Sequence, residues 1–155
     1  MKVKIRDARI EDAPALTKIA WAAKQSWGYP EAWLRRWTDG LRIDESVLGA
    51  MKVRIAEAED EGILGFYALA GSGPIAQLEH LWVRPAMMGR GVGRTLVEHA
   101  VETALSSGAT EMVIEADPHA EAFYVKLGAE RIGAVPAPVP GAENRTLPLL
   151  SIQIK

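Results

Sequence analysis

Three glycines on alternate positions, Gly89, Gly91 and Gly93, stand where a helical pattern begins in VRPAMMGRGVGRTLVEHA, Val83 to Ala100. Glycine loses more backbone freedom on folding than any other residue. Three at this spacing therefore mark a sharp turn or a close approach. They lie between a strand and a helix N-terminus, where unsatisfied N–H groups and the positive end of the dipole favour an anion. Phosphate binding is the chemistry this suggests, and three patterns compete for it. A Walker loop needs Gly-x-x-x-x-Gly-Lys-Ser/Thr, and no Lys-Thr or Lys-Ser follows here. A dinucleotide fingerprint needs Gly-x-Gly-x-x-Gly, and its third glycine would fall at Arg94 or Leu96. A pyrophosphate loop of the form Gln/Arg-x-x-Gly-x-Gly/Ala lies across Met88 to Gly93.

The bulk of the chain narrows the classes. It has 155 residues, 48% hydrophobic and 25% charged, with a formal net charge of -2, the balance of one globular domain without a strong pull toward nucleic acid. There is no cysteine, hence no disulfide, thiolate metal site or thiol nucleophile. The three histidines, His80, His99 and His119, show no metal-ligand spacing. No apolar run is long enough for a membrane span, and MKVKIRDARIED lacks the apolar core of a signal peptide. The expectation is a cytoplasmic protein with neither a membrane nor a nucleic acid as partner.

The elements that must hold the loop follow from periodicity. Val3 and Ile5 alternate with charged residues as a short strand. Asp12 and Pro14 open a helix carrying Leu16, Ile19, Ala20 and Ala23, which SWGYP (Ser26–Pro30) breaks. A second helix runs from Glu31 to about Trp37, and Asp39 to Gly49 is ambiguous. Val53–Glu57 and Ile63–Ala70 form a hairpin, and Ile75–Val83 is a third strand that Pro85 ends. A helix from about Gly91 to Ser107 carries an apolar stripe. Glu111–Glu115 is a strand. Asp117 and Pro118 open a helix whose body is Ala120–Leu127. Strands at Ala129–Gly133 and around Leu150–Ile154 flank the proline-rich PAPVPG, Pro136 to Gly141.

Two motifs in this layout are specific. LEHLWVRPAMMGRGVGRTLVEHAV resembles the acetyl-CoA-binding motif of the GNAT acetyltransferase superfamily. EADPHAEAFYVKLGAERIG, Glu115 to Gly133, resembles that family's second signature, Ala-x-x-Phe-Tyr-x-x-x-Gly. The resemblance covers essentially the whole chain. It implies a single α/β domain over residues 1–155, with a mixed, mostly antiparallel sheet of six to seven strands and about four helices. It also implies acetyl-CoA as co-substrate, no metal, and direct acyl transfer to a primary amine of a small molecule or a protein. Many members dimerise, so a homodimer is compatible. The cofactor residues it implies are Leu81, Trp82 and Val83 on the strand; Met88, Gly89, Arg90, Gly91, Val92, Gly93, Arg94 and Thr95 on the loop and helix; and His119 and Ala122 beyond. Where the family has glutamine or arginine this chain has Met88, which cannot donate a hydrogen bond. Backbone donors must then carry the pyrophosphate, with Arg90 and Arg94 as ionic helpers.

The resemblance implies roles as well. Tyr124 matches the signature tyrosine near the thioester sulfur and is the candidate general acid. Glu79 is the first candidate base. By strand alternation it shares a face with Gln77, Leu81 and Val83, and Gln77 itself cannot accept a proton. His119, at a position that often carries asparagine, is a third option for the base. A backbone N–H near Val83 would meet the oxyanion. Acceptor choice falls in the first third, where Trp21, Trp27, Tyr29, Trp33 and Trp37 supply either core or an aromatic wall. The rival reading is a non-catalytic acyl-CoA-binding or regulatory domain, which Met88 and Gln77 favour and Tyr124 does not.

Overall fold

The computed structural model describes residues 1–154. Seven strands form one sheet: β1 (Lys4–Asp7), β2 (Lys52–Ala58), β3 (Gly62–Ala70), β4 (Ile75–Val83), β5 (Glu111–Glu115), β6 (Glu130–Pro136) and β7 (Thr146–Gln153). Their spatial order is β1-β2-β3-β4-β5-β7-β6. Every neighbouring pair is antiparallel except β4 with β5. The helices are α1 (Ala13–Gln25), α2 (Glu31–Leu41), α3 (Glu45–Ala50), α4 (Val92–Ser106) and α5 (Glu121–Lys126). The expected α/β architecture is present, with one helix more than anticipated. No helix among the described residues is long and apolar enough to cross a membrane.

Apolar side chains leave the sheet on both faces, so each face is roofed by helices. One core joins Leu64, Tyr67, Leu69, Ala76 and Leu78 to the α4 stripe of Val92, Leu96, Val97, Ala100 and Ala104, and to Tyr124 of α5. The other joins Ile55, Phe66 and Ala68 to Leu16, Ile19 and Ala20 of α1 and to Leu41 and Ile43.

Several sequence expectations need correction. The ambiguous region divides into the end of α2, which runs on past Trp37 to Leu41, and α3, where the Asp44 side chain accepts from the Val47 N–H at 3.1 Å. Asp12 precedes α1, but its carboxylate turns back to accept from the Arg9 N–H at 2.8 Å and from Arg6 at 2.9 and 3.1 Å. It ties β1 to the helix entry instead of capping the first turn. Pro118–Ala120 is a 3₁₀ turn, and the α-helix begins only at Glu121. β6 extends to Pro136, which an edge strand tolerates.

The most consequential correction lies in β4. Ala68 pairs with His80 and the next residue, Leu69, pairs with Leu78, so Glu79 has no partner and forms a bulge. Alternation restarts after it. Leu81 and Val83 therefore pack on the same core as Ala76 and Leu78, while Trp82 packs on the other. The single face expected for Gln77, Glu79, Leu81 and Val83 does not exist.

Close backbone approach fixes β4 beside β3. Gly65 pairs with Val83, and a Cβ there would meet the Trp82 carbonyl oxygen at 2.5 Å. Backbone cannot give way as a side-chain tip can. Gly65→Ala is expected to destabilise the protein by about 1–3 kcal/mol, as a lowered midpoint in urea unfolding; an unchanged midpoint would mean that the two strands can separate freely.

Candidate active site

β4 and β5 are paired only from Ile75–Gln77 to Glu111–Val113. Beyond that, β4 follows β3 and β5 follows β7 along its whole length. The sheet forks, and each strand turns an unpaired backbone edge toward the gap. Three adjoining cavities, which share lining residues, lie along it. The largest, about 430 Å³, lies between Leu81–Val83 of β4, the glycine loop, and His119, Ala120, Phe123 and Tyr124. A narrow one of about 110 Å³ threads the fork between Tyr124 on one side and Lys24, Trp27 and Trp82 on the other. A third, about 320 Å³, opens beyond it, lined by Gln77, Leu78, Glu79, Val113, Glu115, Val135 and Leu149. Leu81, Trp82, Tyr124, Trp27 and Ala120 are shared by the first two; Leu78, Glu79 and Glu115 by the last two.

The glycine loop has two different jobs. Gly89 (φ 79°) and Gly91 (φ 85°) hold left-handed backbone, which side chains resist, and a Cβ at either would enter open space. Gly93 has ordinary backbone, but its Cβ would lie 3.0 Å from the Phe123 ring. The first two turn the chain; the third lets α5 pack against α4. Thr95 is the first residue of α4 to bond back, its N–H reaching the Gly91 carbonyl at 3.1 Å. The N–H groups of Val92, Gly93 and Arg94 are thus without intrahelical acceptors, and no side chain caps them.

Of the residues implied by the resemblance, Leu81, Trp82, Val83, Met88, Gly89, Gly91, Gly93, Arg94, His119 and Tyr124 line the large cavity. Arg90, Val92, Thr95 and Ala122 do not. Val92 is buried in the core, so it has only its backbone to offer. Thr95 turns its hydroxyl to the Gly91 carbonyl at 3.0 Å, and Ala122 is exposed on the outside of α5. Met88 stands on the rim, 40% exposed. Arg94 has only a surface pair with Glu98 at 3.4 Å, worth little and easily exchanged.

Tyr124 is buried with 5% of its surface exposed. Desolvation alone raises its pKa well above the ordinary phenol range, so it keeps its proton at neutral pH. Its neighbour Phe123 packs edge-on at 5.0 Å. Glu79, an exposed residue, lines the two cavities on the far side, where partial desolvation and then the like charge of Glu115 raise its pKa. His80 and His99 are structural: the first accepts from Trp82 Nε1 at 3.0 Å, the second meets the Tyr67 hydroxyl at 2.8 Å. No group of side chains among the described residues is arranged to hold a metal ion.

One cluster was not foreseen. The Asp117 side chain is only 6% exposed. It takes Lys24 Nζ at 2.6 Å, the Tyr29 hydroxyl at 2.9 and 3.0 Å, and the His119 N–H at 2.8 Å. Arg145 Nη2 lies 3.9 Å away. Burial opposes the carboxylate, but the bonds from Lys24 and His119 outweigh it and hold its pKa below the usual value. Lys24 sits 4.3 Å over the Trp37 ring, and burial lowers its pKa against the pull of Asp117. The cluster fastens α1, Tyr29 and the β6–β7 loop to the segment leading into α5. It also sorts the aromatics. Trp27, stacked on His119 at 5.4 Å and 6.0 Å from Trp82, lines the passage. Trp33 and Trp37 pack edge-on at 6.1 Å, and Trp21 and Trp37 pack on the α1 core. Of the aromatics expected to supply core or a wall, Trp27 lines the cavities, beside Trp82, whereas Trp21, Tyr29, Trp33 and Trp37 do not. Asp117 was legible only as a local cap, because nothing in the sequence pairs it with a lysine 93 residues away.

Comparisons with known proteins agree with this fold. Residues 13–129 match the model of the acetyltransferase (GNAT) family. A peptidyl-lysine N-acetyltransferase of Salmonella typhimurium is 33% identical over 79 residues, 51% of this chain and 50% of that protein; the match thus spans about half the length of that relative. Among solved structures, a GCN5-related N-acetyltransferase fold from Rhodopseudomonas palustris superposes with TM-score 0.81 at 23% identity, covering 99% of this chain and 97% of the other. The PaiA N-acetyltransferase of Thermoplasma acidophilum, in complex with coenzyme A, superposes with TM-score 0.79 at 20% identity over 99% of both chains.

Removing one member of a buried ion pair strands the other. Asp117→Asn is expected to cost about 3 kcal/mol in urea unfolding, with part recovered by adding Lys24→Met; additivity of the two substitutions would show that the pair is not coupled. Because the Asp117 pKa is lower in the folded than in the unfolded state, its contribution is present above the unfolded pKa and lost as pH falls through the folded one. The cost of Asp117→Asn should therefore shrink in acid.

Proposed function

We propose that this chain, which belongs to the acetyltransferase (GNAT) family, transfers the acetyl group of acetyl-CoA directly to a primary amine. The observation that carries the reading is the passage through the sheet. It joins the bare first turn of α4, past the Tyr124 side chain, to the carboxylates of Glu79 and Glu115. A structural neighbour holding coenzyme A lends support.

The donor set suits the cofactor. Free N–H groups at the start of α4 match a pyrophosphate, and Arg94 adds charge from the cavity wall. The unpaired edge at Leu81–Val83 suits an amide-bearing arm laid alongside as an extra strand. Met88 brings no donor, so this contact rests on backbone. When bound, acetyl-CoA supplies an acyl group activated as a thioester.

The residues of the chain divide the remaining work. An alkylammonium resembles lysine, with a pKa near 10, and must lose a proton before its nitrogen can attack. Glu79 accepts that proton; its raised pKa makes it a better base than an ordinary carboxylate. A C–N bond forms as the C–S bond breaks. The Tyr124 O–H donates toward the departing sulfur, protected from solvent by its burial. Trp27 and Trp82 narrow the passage and keep water from the thioester. The acceptor enters from the α1 side, and either a small amine or an exposed amine of a protein is compatible with that opening.

A thiol-release assay over an amine panel tests the reading, since a non-catalytic binding domain would bind the cofactor and release no CoA. Tyr124→Phe is expected to lower kcat roughly a hundredfold while KM for acetyl-CoA moves only a few-fold; an unchanged kcat would remove Tyr124 from the chemistry. The acid limb of kcat/KM should lie above the ordinary carboxylate range. Glu115→Gln should move it to lower pH by removing the like charge beside Glu79, and a limb that stays in place would assign the base elsewhere.

A further inference from the structure

The acceptor side of the passage has a definite electrostatic character. Glu79 and Glu115 each stand two residues past the last pair of the fork, Gln77 with Val113, and line the same two cavities. No cation lines the outer cavity. In the narrow one the single cation is Lys24, already held by Asp117 at 2.6 Å. Tyr124, with 5% of its surface exposed and no side-chain hydrogen bond among the described residues, lines the same narrow cavity as the two carboxylates. It marks the point where a ligand must arrive.

We infer that Glu79 and Glu115 form a paired-carboxylate subsite that selects acceptors whose only charge near the reacting nitrogen is positive. Acceptors with a carboxylate or phosphate beside the amine are excluded. Glu115 is the specificity-determining member: it does not receive the proton, but it doubles the negative charge facing the ammonium and repels an anion on the adjacent carbon. Trp27 and Trp82 border the passage with faces that favour a cation over an anion. This rests on the acetyltransferase reading for the identity of the site, though the charge preference itself is a property of binding.

The test compares two ligands of one shape that differ in one charge, 2-aminobutanamide and 2-aminobutanoate. Each is titrated calorimetrically into the full chain at pH 7 and low salt, with and without coenzyme A, and each is then offered as an acceptor with acetyl-CoA. The amide is expected to bind at least tenfold more tightly than the acid, with the ratio falling as salt rises and falling several-fold in Glu115→Gln. Equal binding, a preference for the acid, or no binding of either at millimolar concentration would overturn the inference. So would a ratio unaffected by Glu115→Gln in a variant whose unfolding midpoint shows it to be folded. Selective binding of the amide with no CoA released from any amine would instead overturn the transferase reading and leave the charge selectivity supported.

Discussion

A parallel ladder that stops after three residues on each strand governs this molecule. β5 is held by β7 over its full length, and β4 by β3, so the two strands cannot stay together as the sheet twists. Their separation leaves main-chain donors and acceptors unpaired in the middle of a sheet. Buried backbone groups without partners are costly, and the sheet meets that constraint by keeping the gap open as cavities. The site is therefore a consequence of the sheet topology, and its wall is backbone before it is side chain.

The side chains around the gap sort by sheet face. On the α4–α5 side stand the glycine loop and Tyr124, a positive helix end and a buried phenol. On the α1 side stand Glu79, Glu115 and the Lys24–Asp117 pair. Uncapped N–H groups thus stand on one side and two carboxylates on the other, with the narrow cavity beside Trp27 and Trp82 between them. Asp117 holds this arrangement together, since its partners come from α1, from Tyr29 and from the turn carrying His119.

The strands, most helices and the glycine loop were legible in the sequence because their signals are local: period-two alternation, a 3.6-residue stripe, and glycines before a helix. Tyr124 was singled out as a candidate by the motif around it, and Glu79 by its place on the strand before the glycine loop. What escaped detection was non-local. The bulge at Glu79 follows from register with β3, and alternation alone misassigned the face of Leu81 and Val83. The Asp117 cluster joins residues far apart in the chain, so Asp117 read as a helix cap and Tyr29 as either core or part of an aromatic wall. Glu115 looked like the end of a short strand, because only the fork brings it opposite Glu79. Gly93 was grouped with Gly89 and Gly91 by spacing, although packing against Phe123, and not backbone conformation, is what requires it.

The bulge also says something about chain length. Because it adds one residue to β4 and alternation restarts after it, excising Glu79 alone would leave Leu78, His80, Leu81, Trp82 and Val83 each on the face they now occupy. Excising a neighbour such as His80 would instead draw Glu79 into the ladder in its place. Between Gln77 and Val83, Glu79 is the one residue of β4 that the ladder with β3 leaves out. The scaffold is complete without it, and its presence in the chain adds only a bend and a carboxylate at the fork.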